Sequence, residues 1–149
     1  MAGNNWLILA IVFAGVLLVS LSLILLEFCS TINRLHRKLR RINSQLNKQS
    51  LDWLKSNYLD AYDLYLNLPE QKKISFYPNL TEIREKIESS IRCEKELEWY
   101  FHDVDEKDLP EQKKVYQNMY GLYLALPEKV QKKYYARVVQ LREHLERGR

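Results

Sequence analysis

YLDAYDLYLNLPEQKKISFYPNLTEIREKIE (residues 58–88) and YQNMYGLYLALPEKVQKKYYARVVQLREHLE (residues 116–146) align without a gap at an offset of 58, with 12 identities in 31 positions. The chain therefore contains a duplicated unit. Within each copy the apolar residues recur at spacings of three and four. Leu51, Leu54, Tyr58, Ala61, Tyr65 and Leu68 mark one amphipathic helix, and Val115, Met119, Leu122 and Leu126 mark its repeat. Each of these helices is expected to stop at Leu-Pro, because the residue before proline avoids the helical region and proline has no amide hydrogen to donate. The same proline suits the first turn of the next helix, and Glu70 or Glu128 beside it favours the positive end of the helix dipole. Leu109-Pro110-Glu111 is a third start of this kind. The unit thus reads as a helical hairpin, closed in the second copy by Val130, Tyr134, Val138, Leu141 and Leu145. Pro78, where the second copy has Ala136, predicts a kink or break near Tyr77. The helix around it is expected to run on past Ile91 toward His102, with an acidic loop over 103–108 joining the units.

Outward from the repeat, the composition divides sharply. The 149 residues carry a formal charge of +4 and a mean hydropathy of −0.40, which describes an ordinary basic domain. Yet residues 1–26 contain no Asp, Glu, Lys, Arg or His; residues 27–50 hold six basic side chains against one acidic, net +5; and residues 51–149 hold 17 against 18, net −1. A domain of nearly zero net charge lacks the basic face that nucleic acid demands. The length excludes a large multidomain enzyme.

Residues 6–26, WLILAIVFAGVLLVSLSLILL, are apolar except for Gly15, Ser20 and Ser22. As a helix they would cover the ~30 Å hydrocarbon core. A cleaved signal peptide is the competing reading, disfavoured by the missing basic n-region and cleavage site. The expectation is a retained single-pass transmembrane anchor over 1–26. Lys and Arg lie only after the span, which places the amino terminus outside and the following domain in the cytoplasm. Asn79-Leu80-Thr81 would then stay unglycosylated. Two cysteines, Cys29 and Cys93, stand too far apart in the scheme for an expected disulfide; Cys29 is read as a small interfacial residue or an acylation site.

Residues 27–50 form a basic juxtamembrane helix. Leu25, Phe28, Ile32, Leu35, Leu39, Ile42 and Leu46 follow heptad spacing. Three arrangements stay open: self-association through Ile32, Leu35, Leu39, Ile42 and Leu46; packing of this stripe on the chain's own domain; or a surface-lying helix with Arg34, Arg37, Lys38, Arg40 and Arg41 among anionic headgroups.

All ten tyrosines fall between Tyr58 and Tyr135, eight of them in matched pairs. Packing explains shared positions most simply. The functional alternative is a partner groove built on Tyr58, Tyr62, Tyr116 and Tyr120. The Arg84-Glu85 and Arg142-Glu143 pairs read as solvated faces. No phosphate-binding Gly-rich loop, GxSxG, HExxH or CxxC occurs. His36, His102 and His144 lack a ligand-spaced partner set, with Glu98/His102 a lone pair at one-turn spacing. No catalytic, metal or cofactor-binding residue is expected.

The Tyr-rich helix ending in Leu-Pro-Glu, repeated over residues 51–146, resembles short TPR-like helical-hairpin repeats and, more loosely, small membrane-anchored hairpin proteins of archaea. The 58-residue offset differs from the TPR period, and the small residues of TPR helix crossings are out of register here. The resemblance implies a protein-binding scaffold with no catalytic residues to carry over. The sequence-level expectation is an all-α chain: an anchor over 1–26, a basic helix over 27–50, and a duplicated hairpin domain over 51–149 with units at about 51–102 and 109–147. Its expected function is a single-pass, membrane-anchored interaction module that recruits a protein partner to the cytoplasmic face. The alternative is a membrane-structural or anionic-lipid-binding oligomer.

Overall fold

In a computed structural model the described residues are 3–104 and 108–147, without the side chains of 3–11, 25 and 27–29. Among the described residues five α-helices follow one another: α1 (Gly3–Gln45), α2 (Leu51–Leu66), α3 (Glu70–Asp103), α4 (Leu109–Ala125) and α5 (Glu128–Arg147). No strand occurs among the described residues. Each helix packs on the next, and α1 also touches α3.

The helix ends follow local chemistry. Ser50 caps α2 by accepting the Trp53 amide at 3.4 Å, and Asp108 caps α4 by accepting the Glu111 amide at 3.1 Å. The two caps lie 58 residues apart and satisfy the same orphan donor of the first turn. Pro69 and Pro127 stand before α3 and α5, their carbonyls accepting the first amides of the new helix. Pro78 neither splits nor ends α3, which runs unbroken for 34 residues. Both Pro78 and Ile74, whose carbonyl loses its helical donor to the proline, are exposed, so water can satisfy that carbonyl.

The duplication is larger than a hairpin. The starts of α2 and α4, the starts of α3 and α5, and the ends of α1 and α3 are each 58 residues apart. Unit one is therefore the second half of α1, then α2, then the first half of α3; unit two is the second half of α3, then α4, then α5. Helix α3 closes one unit and opens the other. Leu39 and Leu97 hold equivalent places and are 5% and 0% exposed; Leu46 and Val104 are likewise both buried. Of the three arrangements left open for the heptad stripe, the structure shows packing within the chain. Leu35, Leu39, Ile42 and Leu46 are buried in one core with Leu54, Ala61, Leu80 and Ile83, and Ile32 is half-buried against it. The side chains of Leu25 and Phe28, which begin the stripe, lie outside the described residues.

The membrane span is corrected. Among the described residues, no helix is long and apolar enough to cross a membrane. The apolar side chains that are described in the amino-terminal half of α1, from Val12 to Leu26, are exposed. Side chains 6–11 and 25, on which the rest of that reading falls, lie outside the described residues. The single-pass anchor over 1–26 falls with this finding. So do the membrane localisation, with its outside amino terminus, and the cytoplasmic placement of the repeat domain, because the charge rule orients only a segment that spans. Ser20 and Ser22 in this stretch donate to the carbonyls of Val16 and Val19 at 2.9 and 2.8 Å.

Candidate functional site: a tyrosine groove

Helices α4 and α5 enclose an open groove of about 550 Å³. One wall is a ladder on α4: Tyr116, Tyr120 and Tyr123 stack one turn apart, with ring centres 5.8 and 5.9 Å from each other. The spacing of three and four residues puts the rings on one face. Tyr135, Val138 and Arg142 of α5 form the other wall, with Lys113 and Gln117 at the α4 side. Arg142 Nε donates to Glu146 Oε1 at 2.8 Å, which fixes the guanidinium across one turn and raises its pKa. Burial raises the pKa of Tyr116 and of Tyr123. Both phenols therefore remain protonated and able to donate through the neutral range. The groove is rich in donors: phenols, the Gln117 amide, an ammonium and a guanidinium.

Unit one carries the same constellation. Tyr58, Tyr62 and Tyr65 stack at 6.1 and 5.8 Å on α2. Arg84, Glu88 and Tyr77 of α3 all act on Tyr58, whose pKa is raised chiefly by burial. Arg84 and Glu88 pair at 3.6 Å. Of the eleven residues lining the α4–α5 groove, seven recur unchanged 58 positions earlier: Lys55, the four tyrosines, Arg84 and Glu88. Several are exposed in both copies, with Tyr62 and Tyr120 at 40% and 41% and Tyr77 and Tyr135 at 59% and 62%. Packing alone explains a shared buried residue and leaves a shared exposed ring unexplained.

Of the sequence-level groove candidates, the structure puts Tyr116 and Tyr120 in the α4–α5 groove, and Tyr58 and Tyr62 in the matching ladder of unit one. The two pairs do not line one pocket. Sequence reading missed Tyr135, Arg142 and Lys113 as their companions. For Tyr135 and Arg142 the signal is in the alignment, as identity at positions off the apolar stripe; Lys113 and its counterpart Lys55 lie before the aligned stretch.

The five basic residues of α1 are divided. Arg34, Arg37, Lys38 and Arg41 line a cleft of about 360 Å³ with Asn57 and Leu64 of α2. Arg40 opens instead onto a separate depression with His36, Asn43, Asn79 and Glu82. The Glu98/His102 pair is not formed as such: Glu98 accepts the Tyr134 hydroxyl at 2.5 Å. Lys133 donates to that hydroxyl and to Glu94, both at 2.9 Å. Among the described residues, no three His, Cys, Asp or Glu side chains are placed to hold a metal ion. Cys93 is half-buried and free, and the side chain of Cys29 lies outside the described residues. In comparisons with known proteins, no family model, no curated protein and no solved structure matches this chain, and the functional reading rests on the groove itself.

Proposed function

We propose that the protein is a helical-repeat interaction module whose α4–α5 groove receives an extended, carboxylate-bearing segment of another protein. One observation carries this reading: the duplicated units keep the same exposed tyrosines, arginine and lysine around the same ladder. Tyrosine is suited to such a surface, since it offers a large rigid apolar ring and a hydroxyl at low entropic cost. The donors outnumber free acceptors, because Glu146 is already engaged by Arg142. The fitting occupant supplies the acceptors: unpaired backbone carbonyls and carboxylates that meet Lys113 and Arg142.

A photo-cross-linking residue in place of Gln117, inside the groove, tests the reading against the same probe in place of the exposed Glu96 on α3. The expected result is a discrete adduct from position 117 that disappears when Tyr120→Ala or Arg142→Gln is added, and none from position 96. An adduct indifferent to those substitutions, or no adduct at 117, defeats the reading.

A further inference from the structure

Arg34, Arg37, Lys38 and Arg41 are spaced at one and two turns, which puts four cations on one face of α1 beside its buried stripe. Packing of that stripe carries the face up to α2, whose Asn57 and Leu64 complete the cleft. The cations are held in place largely by uncharged groups. Arg37 Nε donates to the Asn33 carbonyl at 3.3 Å, and Arg41 lies over the Trp53 ring with its guanidinium carbon 5.7 Å from the centroid. Among the described residues only Lys38 meets a carboxylate, that of Asp60 at 2.5 Å. Three guanidinium groups thus share a small cleft with their charge uncompensated.

The fold does not ask for all four charges. At the equivalent places in unit two stand Arg92, Lys95, Glu96 and Trp99, two cations and one acid, and that half of α3 packs on α4 all the same. Like charges one turn apart oppose helix formation, so the two added cations, Lys38 and Arg41, concentrate a self-repelling charge that packing does not require. Guanidinium groups match phosphate oxygens two at a time, and a charge held by a ring or a carbonyl is pre-organised for that contact.

We infer that the α1–α2 cleft binds a compact, multiply phosphorylated anion. The site is separate from the tyrosine groove and does not depend on it. Calorimetric titration of the 149-residue chain with inositol hexakisphosphate tests it. The expected result is saturable one-to-one binding that weakens about tenfold in the Arg34→Gln, Arg37→Gln double variant, with helical content by circular dichroism unchanged. Arg40→Gln removes the same charge from the same helix but faces the other depression, and it should change affinity less than about twofold. Equal losses in the Arg40 and Arg37 single variants would mean diffuse attraction and overturn the site. Displacement of the probe by single-stranded DNA at equal phosphate concentration would overturn the preference for a compact ligand. Vesicles bearing phosphatidylinositol bisphosphate separate the sources: competition with the probe assigns the cleft to a headgroup, and its absence to a free polyphosphate.

Discussion

Unit one and unit two share a register to the residue and differ in what each has built at its edges. The shared part is the core: Leu39 and Leu97, Leu46 and Val104, Leu80 and Val138, and Phe76 and Tyr134 take matching buried places. At that last position Phe76 meets the His36 ring at 6.4 Å, whereas Tyr134 stacks on Phe101 at 6.0 Å and reaches Glu94, Glu98 and Lys133 with its hydroxyl. The ladders differ at one end. Lys73 pairs with Glu70 at 2.8 Å and brings its ammonium to 5.9 Å from the Tyr65 ring. Its counterpart Gln131 turns away to donate to the carbonyls of Leu124 and Leu126 at 3.2 and 2.7 Å. The turn before α5 is also anchored across the molecule, with the Glu128 amide donating to Asn47 at 2.8 Å and Lys129 to Gln49 at 2.7 Å. Duplication preserved the apolar contacts, which every copy needs in order to fold, together with the tyrosine ladder and its Lys, Arg and Glu companions, and left other polar positions such as Lys73 and Gln131 to differ.

The sharpest way to break the correspondence is in the core. Leu39→Ala and Leu97→Ala should each destabilise the chain by ~2–5 kcal/mol, Leu97 more because it is fully enclosed. Because α3 belongs to both units, urea unfolding followed by circular dichroism should remain a single transition in each variant. Two separated transitions would show that the units fold independently.

The caps provide a gentler comparison. Removing the side-chain acceptor should cost ~1 kcal/mol in Ser50→Ala and somewhat more in Asp108→Ala, where a negative charge at the helix amino terminus is lost as well. Ser50→Asp should then stabilise unit one, as read by thermal melts at matched salt; a neutral result would mean that the two first turns differ more than their hydrogen bonds suggest.

The smallest effect is expected from Tyr134→Phe, which copies unit one into unit two. It should lose ~0.5 kcal/mol at neutral pH with the hydroxyl network. The Tyr134 hydroxyl, before Lys133, holds the Glu98 carboxyl below its usual range. A depressed folded-state pKa contributes stability above the unfolded value and loses it as pH falls through the folded one. The gap between wild type and variant should accordingly narrow on acidification below about pH 4.3, the ordinary glutamate value. A gap independent of pH would remove Glu98 from the account.

Much of the helical scaffold was legible because its signals are local. The Leu-Pro stops and the acidic first turns depend on neighbours a few residues away, and α3 to α5 begin where those signals stand. Pro78 does not break α3, because whether a proline ends a helix depends on whether the freed carbonyl reaches water, which is a matter of which face it occupies. The apolar run at 6–26 misled in another way: apolar composition over a stretch suggested a span, and no helix among the described residues is long and apolar enough to cross a membrane. The heptad stripe could not choose its partner, since identical spacing serves a second copy, a membrane surface or the chain's own helices. The groove was half visible. Tyr116 and Tyr120 stood out by repetition, but Arg142 and Tyr135 join them only when α5 folds back along α4.

From sequence alone came the duplication, the helical class of the repeat and the places where its helices stop at Leu-Pro, all set by side chains acting on their own backbone. Tertiary structure alone decided that the repeating unit has three helices with α3 shared, that the stripe of α1 is spent inside the chain, and that Arg40 parts from its basic neighbours. Those outcomes depend on which helix faces meet, and long-range burial settles that at distances along the chain where local propensity carries no information.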